Sequence, residues 1–176
     1  MKARPANRRQ LGVTLIESCI VMAITTTAIG VVAPGLEQLC QRRHLEGASA
    51  QLETDLQLAR SLAVSQNHGV RVDFSNANVC YVIHTGVAGA CHCAADGSAT
   101  CGATATALRV GTLGVGSRLT LHSNSASMLF DPVKGTVTPT GTVQIGGADG
   151  ASVRTIINIM GRVRSCSVGL SGYKAC

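Results

Sequence analysis

The chain has 176 residues, 45% of them apolar and 14% charged, with a formal charge of +6. That composition can pack one domain and excludes a wholly disordered chain. Two Tyr, two Phe and no Trp exclude a nucleic-acid reader that stacks bases on aromatic rings.

The charge is unevenly placed. Lys2, Arg4, Arg8 and Arg9 hold most of the basic surplus. The last acid is Asp149, after which come Arg154, Arg162, Arg164 and Lys174. Between these ends, Val13 to Ala33 is apolar with one charge, Glu17. As a helix it spans roughly 30 Å, the thickness of a bilayer core. The basic residues before it predict a cytoplasmic N-terminus and an exported remainder. No small-x-small cleavage site follows the run, so an ordinary secretory signal is not indicated. A carboxylate inside a membrane helix costs roughly 2.5–3.5 kcal/mol on insertion scales and needs a partner.

Residues 10–18, QLGVTLIES, resemble the class III signal of type IV pilins and pseudopilins. The resemblance implies cleavage by a prepilin peptidase between Gly12 and Val13 and N-methylation of Val13. It also implies that Glu17 pairs with the terminal amine of a neighbouring subunit during assembly. Val13 departs from the family's usual Phe or Met. Pro34-Gly35 follows the apolar run and marks where the helix loosens or leaves the membrane.

From Leu36 the pattern becomes amphipathic. Leu45, Ala48, Leu52, Leu56, Ala59, Leu62 and Ala63 recur at three- and four-residue spacing. Glu37, Arg42, Arg43, Glu46, Glu53, Asp55 and Arg60 are expected mostly on the other side. Asn67, His68 and Gly69 predict the helix end. The expected organisation is a leader over 1–12, a membrane or filament-core helix over 13–35, an amphipathic helix over 36–68 and an exported domain over 69–176.

After Gly69 the period shifts to two. Val70–Phe74 and Val79–His84 read as a hairpin around a turn at 75–78. Residues 86–104 are small and polar apart from their cysteines and read as a loop. Further strands are expected at 107–111, 118–122, 127–130, 135–138, 141–145, 153–159 and 162–168. A long helix followed by many short antiparallel strands is an α+β fold. The stretch 51–75, QLETDLQLARSLAVSQNHGVRVDFS, is similar to the GspH/FimT group of minor pilins and pseudopilins.

Of eight cysteines, Cys19 and Cys40 lie on the long helix. Cys80, Cys91, Cys93, Cys101, Cys166 and Cys176 allow fifteen pairings, and spacing does not choose among them. The resemblance to pilins implies a Cys166–Cys176 closure of the C-terminal loop. The other four then leave two bonds inside and beside the 86–104 loop. A zinc site from Cys91, His92, Cys93 and Cys101 is the rival. Its one-residue gap is shorter than the usual two to four, so disulfides and no metal are expected in an exported chain.

If Val163 faces inward on a strand, Arg162 and Arg164 face outward about 7 Å apart. That is comparable with the spacing of successive phosphates along a DNA strand, and guanidinium suits phosphate. Gly161-Arg-Val-Arg164 resembles the GRxR motif of FimT-type minor pilins. The resemblance implies DNA binding by Arg162 and Arg164, with Gly161 as the turn residue. Lys174 and Arg154 are further candidates. The histidines are scattered and no nucleophile sits with a base, so no enzyme and no cofactor are expected. The reading is a minor type IV pilin that binds extracellular DNA for natural transformation. Its expected partners are other pilins, the prepilin peptidase, DNA and, before assembly, the inner membrane. The rivals are an H-type pseudopilin of type II secretion and a minor pilin that primes assembly without touching DNA.

Overall fold

The computed structural model describes residues 14–113 and 118–176, without the side chains of residues 31–34. The expected cleavage and methylation positions, Gly12 and Val13, lie outside the described residues. The chain divides into two units, Met1–Gln38 and Leu39–Cys176, and one helix, α1 (Leu15–Gln66), runs through both.

In the first unit, the Glu17 N–H donates to the Thr14 hydroxyl at 3.4 Å, a side-chain cap on the first turn. Leu15, Ile16, Ile20, Val21, Met22, Ile24 and Ile29 are all more than half exposed. Thr25, Thr26 and Thr27 each donate their hydroxyl to the carbonyl four residues back, at 2.9 Å. Three polar groups are thereby satisfied inside the helix, which suits an apolar surrounding. Among the described residues no single helix is long and apolar enough to cross a membrane. The bent pair Leu15–Gly30 and Gly35–Gln66 meets that test on length and composition together.

In the second unit, α1 ends at Asn67, whose φ of 50° stops the spiral. Among the described residues eleven strands follow: β1 (Val70–Ser75), β2 (Cys80–Thr85), β3 (Cys91–Cys93), β4 (Ala99–Cys101), β5 (Ala107–Thr112), β6 (Thr120–Ser123), β7 (Ser127–Phe130), β8 (Val137–Thr138), β9 (Gly141–Gly146), β10 (Ser152–Ile157) and β11 (Val163–Val168). Nine of them form an antiparallel five-stranded sheet in the order β5-β2-β1-β7-β8 and a four-stranded one in the order β11-β10-β9-β6, and β3 and β4 pair separately. The fold is α+β, a long helix packed on antiparallel sheets.

Period-two alternation decides which side chains meet the helix. In β9 and β10, Val143, Ile145, Val153 and Ile157 turn inward. They join Val70, Val72, Tyr81, Ile83, Met128 and Phe130 from the larger sheet against Leu45, Leu52, Leu56, Ala59 and Ala63 of α1. Both sheets and the helix thus share one core.

Two expectations are corrected. Residues 86–104 are not a bare loop: β3 and β4 form a hairpin in which Cys91 stands opposite Cys101. Cys80–Cys93 and Cys91–Cys101 are disulfides. With Val82 they make a second small core. Asp55, counted with the surface charges, is buried beneath the larger sheet and takes bonds from Tyr81 and Arg109. A buried carboxylate is tolerable there because two donors, one of them cationic, replace its water.

Candidate functional site

The last two strands carry the basic residues. In β10, Val153, Thr155 and Ile157 are buried while Arg154 and Ile156 are exposed. Register pairs Ile156 with Arg164 and Arg154 with Cys166, so these four share the outer face of the smaller sheet. Arg154 also donates to Gln144 of β9 at 3.4 Å.

The turn from β10 to β11 is tightly bonded. Asn158 N–H donates to the Arg162 carbonyl at 3.2 Å, and Gly161 N–H to the Asn158 carbonyl at 2.9 Å. The Asn158 side-chain oxygen accepts from the Arg162 N–H at 2.9 Å. Val137 N–H reaches the Ile159 carbonyl at 2.9 Å, tying the turn to β8. Gly161 has φ of 68° and is buried, and a Cβ there would stand 2.4 Å from the Gly135 carbonyl oxygen. Glycine is therefore required twice, for handedness and for space.

Arg162 and Arg164 are both exposed, with Val163 between them partly buried against the core. They serve different recesses. Arg162 joins Arg60, Lys134, Val133, Gln57 and Ser61 around an open recess of about 570 Å³. Arg60 is braced by a bond from its Nε to the Gly135 carbonyl at 3.0 Å. Arg164 lines a neighbouring recess of about 660 Å³ with Ile156, Lys174 and the Cys166–Cys176 disulfide. The tail is folded back there, since Ser167 N–H donates to the Lys174 carbonyl at 2.9 Å. Among the described residues, none of Lys134, Arg154, Arg162, Arg164 and Lys174 has a carboxylate within ion-pair distance. The result is two separate recesses lined by cations without a carboxylate partner, an arrangement that attracts anions.

Arg60 and Lys134 did not stand out in the sequence. Gly135 has a positive φ and its own Cβ would lie 2.9 Å from the Arg60 Nε, a close approach that no pattern in the sequence marks. Cys91, Cys93 and Cys101, the thiols of the zinc alternative, are all in disulfides. No cluster of three metal-binding side chains occurs among the described residues. Glu17 is exposed on the first turn of α1.

The family model described as Type II transport protein GspH matches residues 48–161. Arg162, Arg164 and Lys174 lie just beyond that match. No curated protein sequence matches the chain significantly. Solved structures share its fold. The type IV minor pilin FimU of Pseudomonas aeruginosa is 23% identical, with a TM-score of 0.52 over 72% of this chain and 90% of that one. The minor pseudopilin EpsH from the type 2 secretion system of Vibrio cholerae is 15% identical, with a TM-score of 0.52 over 72% of this chain and 99% of that one.

Proposed function

The chain belongs to the GspH family, and on that premise we propose that it is a minor pilin of a type IV pilus that binds extracellular DNA without regard to sequence. In this reading a prepilin peptidase cleaves between Gly12 and Val13 and methylates the new terminus. The α1 helix holds the chain in the inner membrane and then in the filament. Glu17 pairs with the amine of a neighbouring pilin, and the domain after Gly69 faces first the periplasm and then the medium, where DNA is captured for uptake.

The observation that carries the DNA part is a pair of recesses lined by cations with no carboxylate partner among the described residues, Lys134 and Arg162 beside the braced Arg60 in one and Arg164 with Lys174 in the other. A subunit that only packs against other pilins has no need of uncompensated guanidiniums on its last strand. Phosphate contacts by these groups give non-specific binding with a Kd of about 10⁻⁴–10⁻⁶ M at physiological salt. Several copies in one filament raise this by avidity.

The test is titration of the full chain, in non-ionic detergent, against labelled duplex DNA at two salt concentrations. Arg162→Ala/Arg164→Ala is expected to bind more weakly and to lower the slope of log K against log salt by about 1.8. Equal binding by parent and variant, or none by either, sinks the DNA reading. It leaves the filament role of an H-type pseudopilin or an assembly-priming minor pilin, to which the EpsH-like fold is equally suited.

A further inference from the structure

The turn between β10 and β11 presents two apolar side chains that the fold does not use. Ile159 is 60% exposed and Met160 62%. They are not held out by floppiness, because the backbone on either side is bonded at Asn158, Ile159 and Gly161. Arg162 follows directly, and Val133, itself 77% exposed, stands with Lys134 and Arg162 around one recess. An apolar tip on a bonded turn, followed directly by a cation without a carboxylate partner, fits a ligand that is anionic along its length and apolar within.

Resting on the DNA reading above, we infer that Ile159 and Met160 form an aliphatic wedge that contacts nucleobases where they are unstacked, while Lys134, Arg162 and Arg164 hold the flanking phosphates. Ile and Met are among the side chains able to enter between base steps. The chain has few aromatic rings, and an aliphatic tip is another means of meeting a base face. Charge decides for DNA over another pilin: an apolar contact between subunits is not helped by the adjoining Arg162 and its neighbour Lys134, whereas a phosphate backbone is drawn to them. The contact makes the protein favour DNA whose bases are already open, such as bubbles, gaps or frayed ends, over intact duplex.

The experiment measures binding of the full chain in detergent to an intact duplex and to the same duplex with a short mismatched bubble. Length and charge are matched between the two. The parent is expected to bind the bubble about fivefold more tightly, because the unstacking that a wedge requires is already done. Ile159→Ser/Met160→Ser is expected to lose that preference while its duplex affinity stays near the parent's. Arg162→Ala/Arg164→Ala is expected to weaken both DNAs alike. Equal parental binding to the two DNAs, or a preference that survives in the serine variant, overturns the wedge and leaves the phosphate site standing. Arginine variants that bind like the parent overturn the DNA reading itself. A serine variant that loses binding to anionic phosphatidylglycerol vesicles, beside a parent showing no bubble preference, reassigns the turn to lipid.

Discussion

Tyr81 reaches from β2 across the core and donates its hydroxyl to Asp55 of α1 at 2.6 Å. Arg109 of β5 pairs with the other oxygen of the same carboxylate. Helix and sheet are thus pinned at one buried point by groups from three elements. Removing the carboxylate leaves a buried hydroxyl unmatched, whereas removing the hydroxyl leaves Arg109 in place. Asp55→Ala is expected to cost about 2–4 kcal/mol and Tyr81→Phe about 1–2 kcal/mol, read from urea unfolding.

Burial first, and then the Asp55 carboxylate, push the Tyr81 phenol far above its usual range. The fold therefore favours the neutral phenol, while an unfolded tyrosine ionises near pH 10. The stability that Tyr81 contributes is complete below that pH and falls as pH rises above it. The parent's advantage over Tyr81→Phe is expected to shrink by about 1.4 kcal/mol per pH unit above 10. The measurement is paired unfolding at pH 8 and pH 11 with Cys19 and Cys40 blocked. A constant difference across that window contradicts the assignment.

Two glycines make a contrasting pair. Gly161 combines φ of 68° with a Cβ position 2.4 Å from a backbone oxygen, whereas Gly172 has φ of 96° and nothing within 4 Å. Gly172→Ala is expected to cost only the left-handed strain of about 1–2 kcal/mol. Gly161→Ala adds a collision that moves the turn, so it is expected to cost more and to weaken DNA binding as well. Calorimetry of both variants beside the duplex titration checks this.

The Cys166–Cys176 disulfide holds the tail with Lys174 beside Arg164. Cys166→Ser/Cys176→Ser is expected to cost about 2–3 kcal/mol. It is also expected to weaken DNA binding by as much as Lys174→Ala does in the intact protein. A disulfide variant that binds DNA as the parent does removes Lys174 from the site.

Lys134 sits beyond the reach of the C-terminal motif, yet it lines the same recess as Arg162. Lys134→Ala is expected to lower the salt slope by about 0.9 without loss of stability. A melting curve and a salt titration separate the two effects.

Regular patterns were readable in the chain because burial imposes them. The three- and four-residue spacing from Leu45 to Ala63 and the alternation in Val70–Phe74 report which faces are covered. The hairpin of β3 and β4 was not readable, because Cys-His-Cys and Ala-Thr-Cys carry no alternation of large apolar side chains. What covers their inward face is sulfur, and the pairing of thiols is a matter of three-dimensional position. Asp55 hid for a related reason. A carboxylate at a helical position looks exposed until its donors are known, and those come from strands 26 and 54 residues further on. At the candidate site, Gly161, Arg162 and Arg164 are singled out by their motif. Arg60 and Lys134 are not, since helix α1 and the turn before β8 bring them to Arg162 from distant parts of the chain.

The tail has one more effect, unrelated to charge. Ala175 bridges Ser167 in parallel, and the Lys174 carbonyl takes the Ser167 N–H. That N–H lies on the outer edge of β11, the last strand of its sheet. An open edge among crowded copies of the same chain is a template for strand pairing between them. By occupying this position with its own final residues, the molecule blunts lateral sheet growth at β11.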